Sequence, residues 1–135
     1  MGTASSELIE AIRFGYFAER GHSGGAFGKQ IVLEIKKGLL AGRIKGGEPF
    51  PTVAQLVDEL HIPAKNAFQV ISSLMAEGVL EIQPGAGTVL KGIPPSSPLI
   101  RNAFLTDEAE RFAVEARFVG LKEGEVLDAV RAAWL

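Results

Sequence analysis

Apolar residues recur every three or four positions along much of the chain, which is the spacing of one helix face. In "SSELIEAIRFGYFAER", Leu8, Ile12 and Tyr16 fall at i, i+4 and i+8, with Ile9 and Phe17 beside them. Ser5 or Ser6 can cap that helix, and Gly15 interrupts its stripe. A glycine-rich connector occupies residues 21–28. In "GKQIVLEIKKGLLAG", Ile31, Ile35 and Leu39 form a second stripe flanked by Val32 and Leu40. Lys29, Glu34, Lys36 and Lys37 fall largely on the remaining surface, and Gly42 is the expected stop. "RIKGGEPFP" reads as a turn with a short extended piece. Thr52 and Gln55 then form a capping box, and Val53, Leu56, Val57 and Leu60 repeat at i, i+3, i+4 and i+7. After the turn "HIP", a further helix is predicted from Pro63 to Glu77, with Gly78 as its stop.

The pattern then changes. "VLEI" and "TVLK" are short strands on either side of "QPGAG", so they form a hairpin with a tight tip. "IPPSSP", residues 93–98, is a linker. In the tail, Ala109, Phe112, Ala113, Ala116 and Val119 mark one helical stripe that Gly120 ends. Val126, Leu127, Val130 and Trp134 mark another. The fold class expected is mainly α with a small β-hairpin. Its parts are an N-terminal helix and connector (1–26), a winged helix-turn-helix (27–92), and a linker with a two-helix tail (93–135).

Composition narrows the options. At 135 residues and 47% hydrophobic, the chain fits one domain, or a small domain with an appendage, and it can bury a core. Cysteine is absent, which removes disulfides and Cys-based zinc sites. The N-terminus does not have the form of a signal peptide, and no apolar run approaches the roughly 20 residues of a membrane helix. A soluble, cytoplasmic protein is expected. The formal net charge of −2 gives no global sign of a nucleic-acid partner.

The residues from "QIVLEIKKGLLAG" through "GGEPFPTVAQL" and "LHIPAKNAF" to "GAGTVL" resemble the N-terminal domain of the GntR family of bacterial transcriptional regulators. The short tail "EARFVGLKEGEVLDAV" is similar to that of the YtrA-like subfamily. The resemblance implies a homodimer that binds double-stranded DNA without a cofactor. It also implies a tail that dimerises and is too small for a sizeable effector pocket. The tail residues expected at the dimer interface are Phe112, Ala116, Val119, Val130 and Trp134.

On a wheel of about 100° per residue, Ala67, Ile71 and Leu74 centre the buried face of the Pro63–Glu77 helix, with Val70 and Met75 at its edges. Lys65, Gln69, Ser72 and Ala76 lie opposite, with Asn66 and Ser73 nearby. A recognition helix presents its N-terminal residues to base edges, which selects Lys65, Asn66 and Gln69, with Ser72 one turn on. Thr52 suits both a cap and a backbone phosphate. Gly85, Gly87 and Thr88 belong to the wing, and Lys45 supplies charge. At Ala54, Gln69 and Ala86, however, the family commonly has a basic residue. Residues 27–92 hold seven basic side chains (Lys29, Lys36, Lys37, Arg43, Lys45, Lys65, Lys91) against six acidic ones, and residues 66–90 hold no Lys or Arg.

Catalysis finds little support. His61 lies in a turn, and His22 beside Ser23 lacks a third group placed to make a triad. "SGGAFGK" fails as a phosphate loop: Ser23 replaces the first glycine, and Gln30 replaces the Ser or Thr that would hold magnesium. No metal-ligand spacing is present. Two functions stay open: a sequence-specific regulator, acting as a repressor on a pseudo-palindromic operator, and a winged helix that has lost DNA binding and serves as a protein-interaction module.

Overall fold

The computed structural model describes Leu8, Ile9, Ile12 and residues 27–134. The cap expected at Ser5 or Ser6, the stripe residues Tyr16 and Phe17, and the connector with His22 and Ser23 lie outside the described residues. The chain divides into two units, residues 1–94 and 95–135.

The first unit is built on three helices and a hairpin. Helix α1 (Phe27–Ala41) buries Ile31 and Ile35 completely. It ends where Gly42 takes φ +77°, a left-handed conformation that glycine adopts without a Cβ clash. Glu34 departs from the expected polar face. It is only 5% exposed, accepts a hydrogen bond from Gln30 Nε2 at 2.9 Å, and pairs with Lys37 Nζ at 3.3 Å. A buried carboxylate needs such partners, and here both come from the same helix one turn away. Leu8 and Ile12 are fully buried helical residues of the same hydrophobic cluster as Ile31 and Ile35.

Helix α2 (Val53–Leu60) opens with the expected capping box: Gln55 N donates to Thr52 Oγ1 at 3.1 Å, and Thr52 N donates to Gln55 Oε1 at 2.8 Å. Leu56 and Leu60 are its buried residues. His61 closes it in the left-handed region, φ 55° and ψ 45°, and its N–H donates to the Val57 carbonyl at 2.9 Å. It is the single non-glycine residue with positive φ among those described. Helix α3 (Ala64–Ala76) follows, with Pro63 as its N-cap in extended backbone.

Ala67, Val70 and Leu74 are the fully buried residues of α3, whereas Ile71 and Met75 are partly buried against the cluster. The buried face is therefore turned towards Val70 from the centre expected at Ile71. The cause is α1: a Cβ built on Gly28 would stand 3.9 Å from Val70 Cγ2 and from the Asn66 carbonyl oxygen. The first turn of α1 thus covers that flank of α3.

Strands β1 (Leu80–Gln83) and β2 (Gly87–Leu90) pair antiparallel, with Leu80 opposite Leu90 and Gln83 opposite Gly87. Leu80 and Leu90 join the hydrophobic cluster, and Val89 is buried as well. The predicted extended piece runs along β2: Phe50 N donates to the Thr88 carbonyl at 2.9 Å and Leu90 N to the Glu48 carbonyl at 2.8 Å, with a bridge between Pro49 and Val89. Gly46 lies against the far end of this edge, where an added Cβ would stand 2.7 Å from the Lys91 carbonyl oxygen. Only glycine leaves room there.

The first helix of the second unit begins one residue earlier than the linker reading allowed. Pro98 is not linker but the first residue of helix α4 (Pro98–Ala103), and the Ser97 hydroxyl accepts from Ile100 N at 3.2 Å. Ser as cap followed by Pro is a start signal, because proline has no N–H to leave unsatisfied. A π-turn over Phe104–Glu108 joins α4 to helix α5 (Ala109–Phe118). Thr106 Oγ1 donates back to the Asn102 carbonyl at 2.8 Å within it, a side-chain bond that loosens the regular helical ladder. Gly120, φ +91°, turns the chain into helix α6 (Glu123–Ala133). Between α5 and α6 runs an apolar groove of about 600 Å3, lined by Phe112, Ala116, Leu121, Val126, Leu127 and Val130 among others. Ala116 is the buried residue of this unit; Phe112, Val119 and Trp134 are exposed.

His61→Gly tests the strain at the α2–α3 turn. A β-carbon in the left-handed region costs roughly 1–2 kcal/mol, partly offset by the extra unfolded-state entropy of glycine. The variant should gain about 1 kcal/mol in urea unfolding.

Candidate nucleic-acid interface

The turn at His61 sets α2 and α3 as a helix-turn-helix. With Ala67, Val70 and Leu74 buried, the outer face of α3 consists of Lys65, Phe68, Gln69, Ser72, Ser73 and Ala76, all exposed. Asn66 is half-buried at the flank covered by α1, and Gln69 Oε1 stands 3.9 Å from the position of a Cβ on Gly28. Lys65, Gln69 and Ser72 thus share one surface, and Asn66 lies at its edge.

The other predicted residues fall on two further elements. Thr52 is exposed at the start of α2, where its hydroxyl already caps the helix. Gly85 and Gly87 have φ of +83° and +81° and shape the hairpin tip, while Thr88 is half-buried opposite Ile82. Lys45 is exposed in the loop before β-bridge residue Pro49, its backbone N–H held by Glu48 Oε2 at 3.1 Å.

The charge on this side is thin. From residue 46 to 90, Lys65 is the sole Lys or Arg. Glu81 projects from β1 and accepts from Gln83 Nε2 at 2.8 Å, so the wing carries a negative group. Glu77 is neutralised from α1, with Lys36 Nζ at 2.7 Å.

Reading by polarity missed two residues. Phe68 is 64% exposed on the face shared with Lys65 and Gln69, and Ile82 is 71% exposed on the wing. The wheel itself carried the signal for Phe68, which falls outside the stripe of Ala67, Val70 and Leu74. Among the described residues, no three His, Asp or Glu side chains are placed to share a metal ion, and no helix is long and apolar enough to cross a membrane.

Comparison with known proteins agrees with this geometry. Residues 27–90, a little under half of the chain, match the family model "Bacterial regulatory proteins, gntR family". A stretch of 75 residues is 27% identical to the "Probable rhizopine catabolism regulatory protein MocR" of Rhizobium meliloti. It covers 56% of this chain and 15% of that protein, so the chain spans a small part of the curated relative's length. Among solved structures, a transcriptional antiterminator from Listeria monocytogenes EGD-e superposes with a TM-score of 0.68 at 18% identity, over 82% of this chain and 83% of its own. A GntR family transcriptional regulator from Listeria monocytogenes superposes with a TM-score of 0.54, also at 18% identity, over 84% and 99% of the two chains. These two likenesses show the fold. The matched family and both solved neighbours are regulators of transcription, not enzymes.

Removing the Thr52 cap should be felt locally. Thr52→Ala should lower stability by about 1 kcal/mol in chemical denaturation, and Thr52→Ser should stay near the parent.

Proposed function

From a gntR-family DNA-binding winged helix-turn-helix at residues 27–90, we propose that the chain is a short-tailed, YtrA-like regulator. It works as a cytoplasmic homodimer and represses transcription by occupying a pseudo-palindromic operator. The observation that carries this reading is the outward face of α3. Lys65 and Gln69 stand in the N-terminal half of the helix that such a fold presents to the major groove, with Asn66 at the edge of that face and Ser72 one turn on. Asn and Gln make bidentate contacts to adenine, and Lys reaches guanine or a phosphate. Gly85, Gly87 and Thr88 bring the wing to the sugar-phosphate backbone, and Thr52 offers a helix N-terminus to a phosphate.

The tail supports a dimer. Phe112, Val119, Val130 and Trp134 are all exposed, and Phe112 and Val130 line the α5–α6 groove. An apolar surface of this kind is covered by a partner in a working protein, and a second copy of the tail would bring the same apolar side chains to it, with Arg117, Lys122 and Glu123 at the groove as the charges to be paired or left in water. Ala116, buried in its own unit, gives the groove a shallow floor against which a partner side chain packs. A two-fold dimer sets two copies of α3 about 34 Å apart, one turn of duplex.

A competing reading, a winged helix that binds protein instead of DNA, is favoured by the scarcity of cations and by exposed Phe68 and Ile82. Selection of bound fragments from genomic DNA by the purified protein, at two salt concentrations, separates the two. Enrichment of a pseudo-palindrome is the expected result; no enrichment at low salt from a folded dimer would favour the protein partner.

With Lys45, Lys65 and Lys91 from each protomer on phosphates, the slope of log K against log salt should be no steeper than about −5. Lys65→Ala combined with Gln69→Ala should abolish operator binding while leaving the dimer intact in sedimentation. Unchanged affinity would remove these residues from the interface. Val119→Asp combined with Trp134→Ala should give a monomer in the same measurement and should weaken operator binding by more than tenfold.

A further inference from the structure

Phe68 is the largest side chain on the outward face of α3 and lies outside the hydrophobic cluster. Lys65 stands three residues before it and Ser72 four after, so the ring shares its surface with the polar residues assigned to base recognition. The remaining residues of that face are short: Ala64, Ser72, Ser73 and Ala76 are all exposed. Among these short groups the Phe68 ring is the apolar side chain that stands out from the face, 64% exposed. No basic side chain between residues 66 and 90 draws the helix towards the backbone.

On the DNA-binding reading above, we propose that Phe68 is a specificity-determining residue that reads the C5-methyl group of a pyrimidine, and that each operator half-site therefore requires a thymine beneath it. The methyl is the one apolar group that a base pair displays in the major groove, and a phenyl ring is a suitable partner for it. Contact removes apolar surface from water on both sides, whereas the same ring against a phosphate or an amide edge would desolvate a polar group without a hydrogen bond. The assignment is consistent with its neighbours. Asn66 and Gln69 suit adenine, so amides and ring together read A·T pairs.

The test uses the operator recovered by genomic selection. Each thymine of one half-site is replaced singly by uracil, which removes the methyl and nothing else, and affinity is measured with the native chain, Phe68→Ala and Phe68→Leu. One replacement should weaken binding by the native chain about fourfold, the worth of one buried methyl. It should be silent with Phe68→Ala and keep part of its effect with Phe68→Leu. At that position, 5-methylcytosine should bind better than cytosine to the native chain alone. If 5-methylcytosine binds better there than thymine, the same methyl recognition stands with methylated DNA as its source. Native binding that is indifferent to every uracil, or a uracil penalty that persists in Phe68→Ala, overturns the role of Phe68 and leaves the regulator reading in place. Failure to recover any operator overturns both. The uracil scan with the native chain needs no variant to fold.

Discussion

The first unit depends on the complete burial of one narrow face of α3. Ala67, Val70 and Leu74 have no exposed surface, and they meet Ile31 and Ile35 from α1, Leu56 and Leu60 from α2, and Leu80 and Leu90 from the hairpin in one cluster. Burying each large aliphatic side chain is worth roughly 1.5–3 kcal/mol, so rotating α3 by even one position would expose several of them. That constraint fixes the rotation of the helix. Once the inner face is set, the outer face follows without any interaction of its own: Lys65, Phe68, Gln69 and Ser72 point outward because nothing else can.

Backbone chemistry holds the helices to their lengths. Thr52 and Gln55 satisfy orphan donors at the start of α2 from both directions. Gly42 and Gly78 take the left-handed conformation just past α1 and α3, and Gly120 does so past α5. His61 performs the same task at the end of α2 with a β-carbon present, a place where the fold tolerates local strain because the hydrophobic contacts of Leu60 and Ile62 on either side are fully made. The hairpin is held at three levels. Its own pairing sets the register, the Glu48–Phe50 edge adds hydrogen bonds, and Gly46 permits the approach to Lys91.

The proposed interface is short of charge and rich in short or apolar groups. Phosphate neutralisation gives DNA-binding proteins most of their non-specific affinity, so a surface with Lys65 as its one cation between residues 46 and 90 has to draw more from fit and from base edges. In the proposed dimer, two copies would offset part of that deficit, since the second half-site would bind at the high effective concentration set by the first. The apolar groove and exposed aromatic residues of the tail have the same logic: a short helical hairpin cannot cover its own hydrophobic surface, and in the proposed dimer a second copy would supply the missing layer.

Much of the first unit was legible because each signal is local. Helix periods, the Thr52 box, the glycine stops and the hairpin depend on residues within a turn or two of each other. The start of α4 was equally local, in Ser97 and Pro98, but a proline-rich stretch hides a cap that happens to use one of the prolines. Other features were not local. Glu34 is buried and Val70 displaces Ile71 from the centre of the core because of what packs across from them, and the exposure of Phe68 follows from the same rotation of α3. The sequence by itself determined most of the apolar core positions, the glycine stops and Thr52 cap of the first unit, and the order of helix-turn-helix and wing, since backbone propensity and short-range hydrogen bonds act along the chain. Only the tertiary structure decided which flank of α3 is covered, and so that an aromatic ring stands among the polar residues of its open face, because that depends on contacts between segments far apart in sequence.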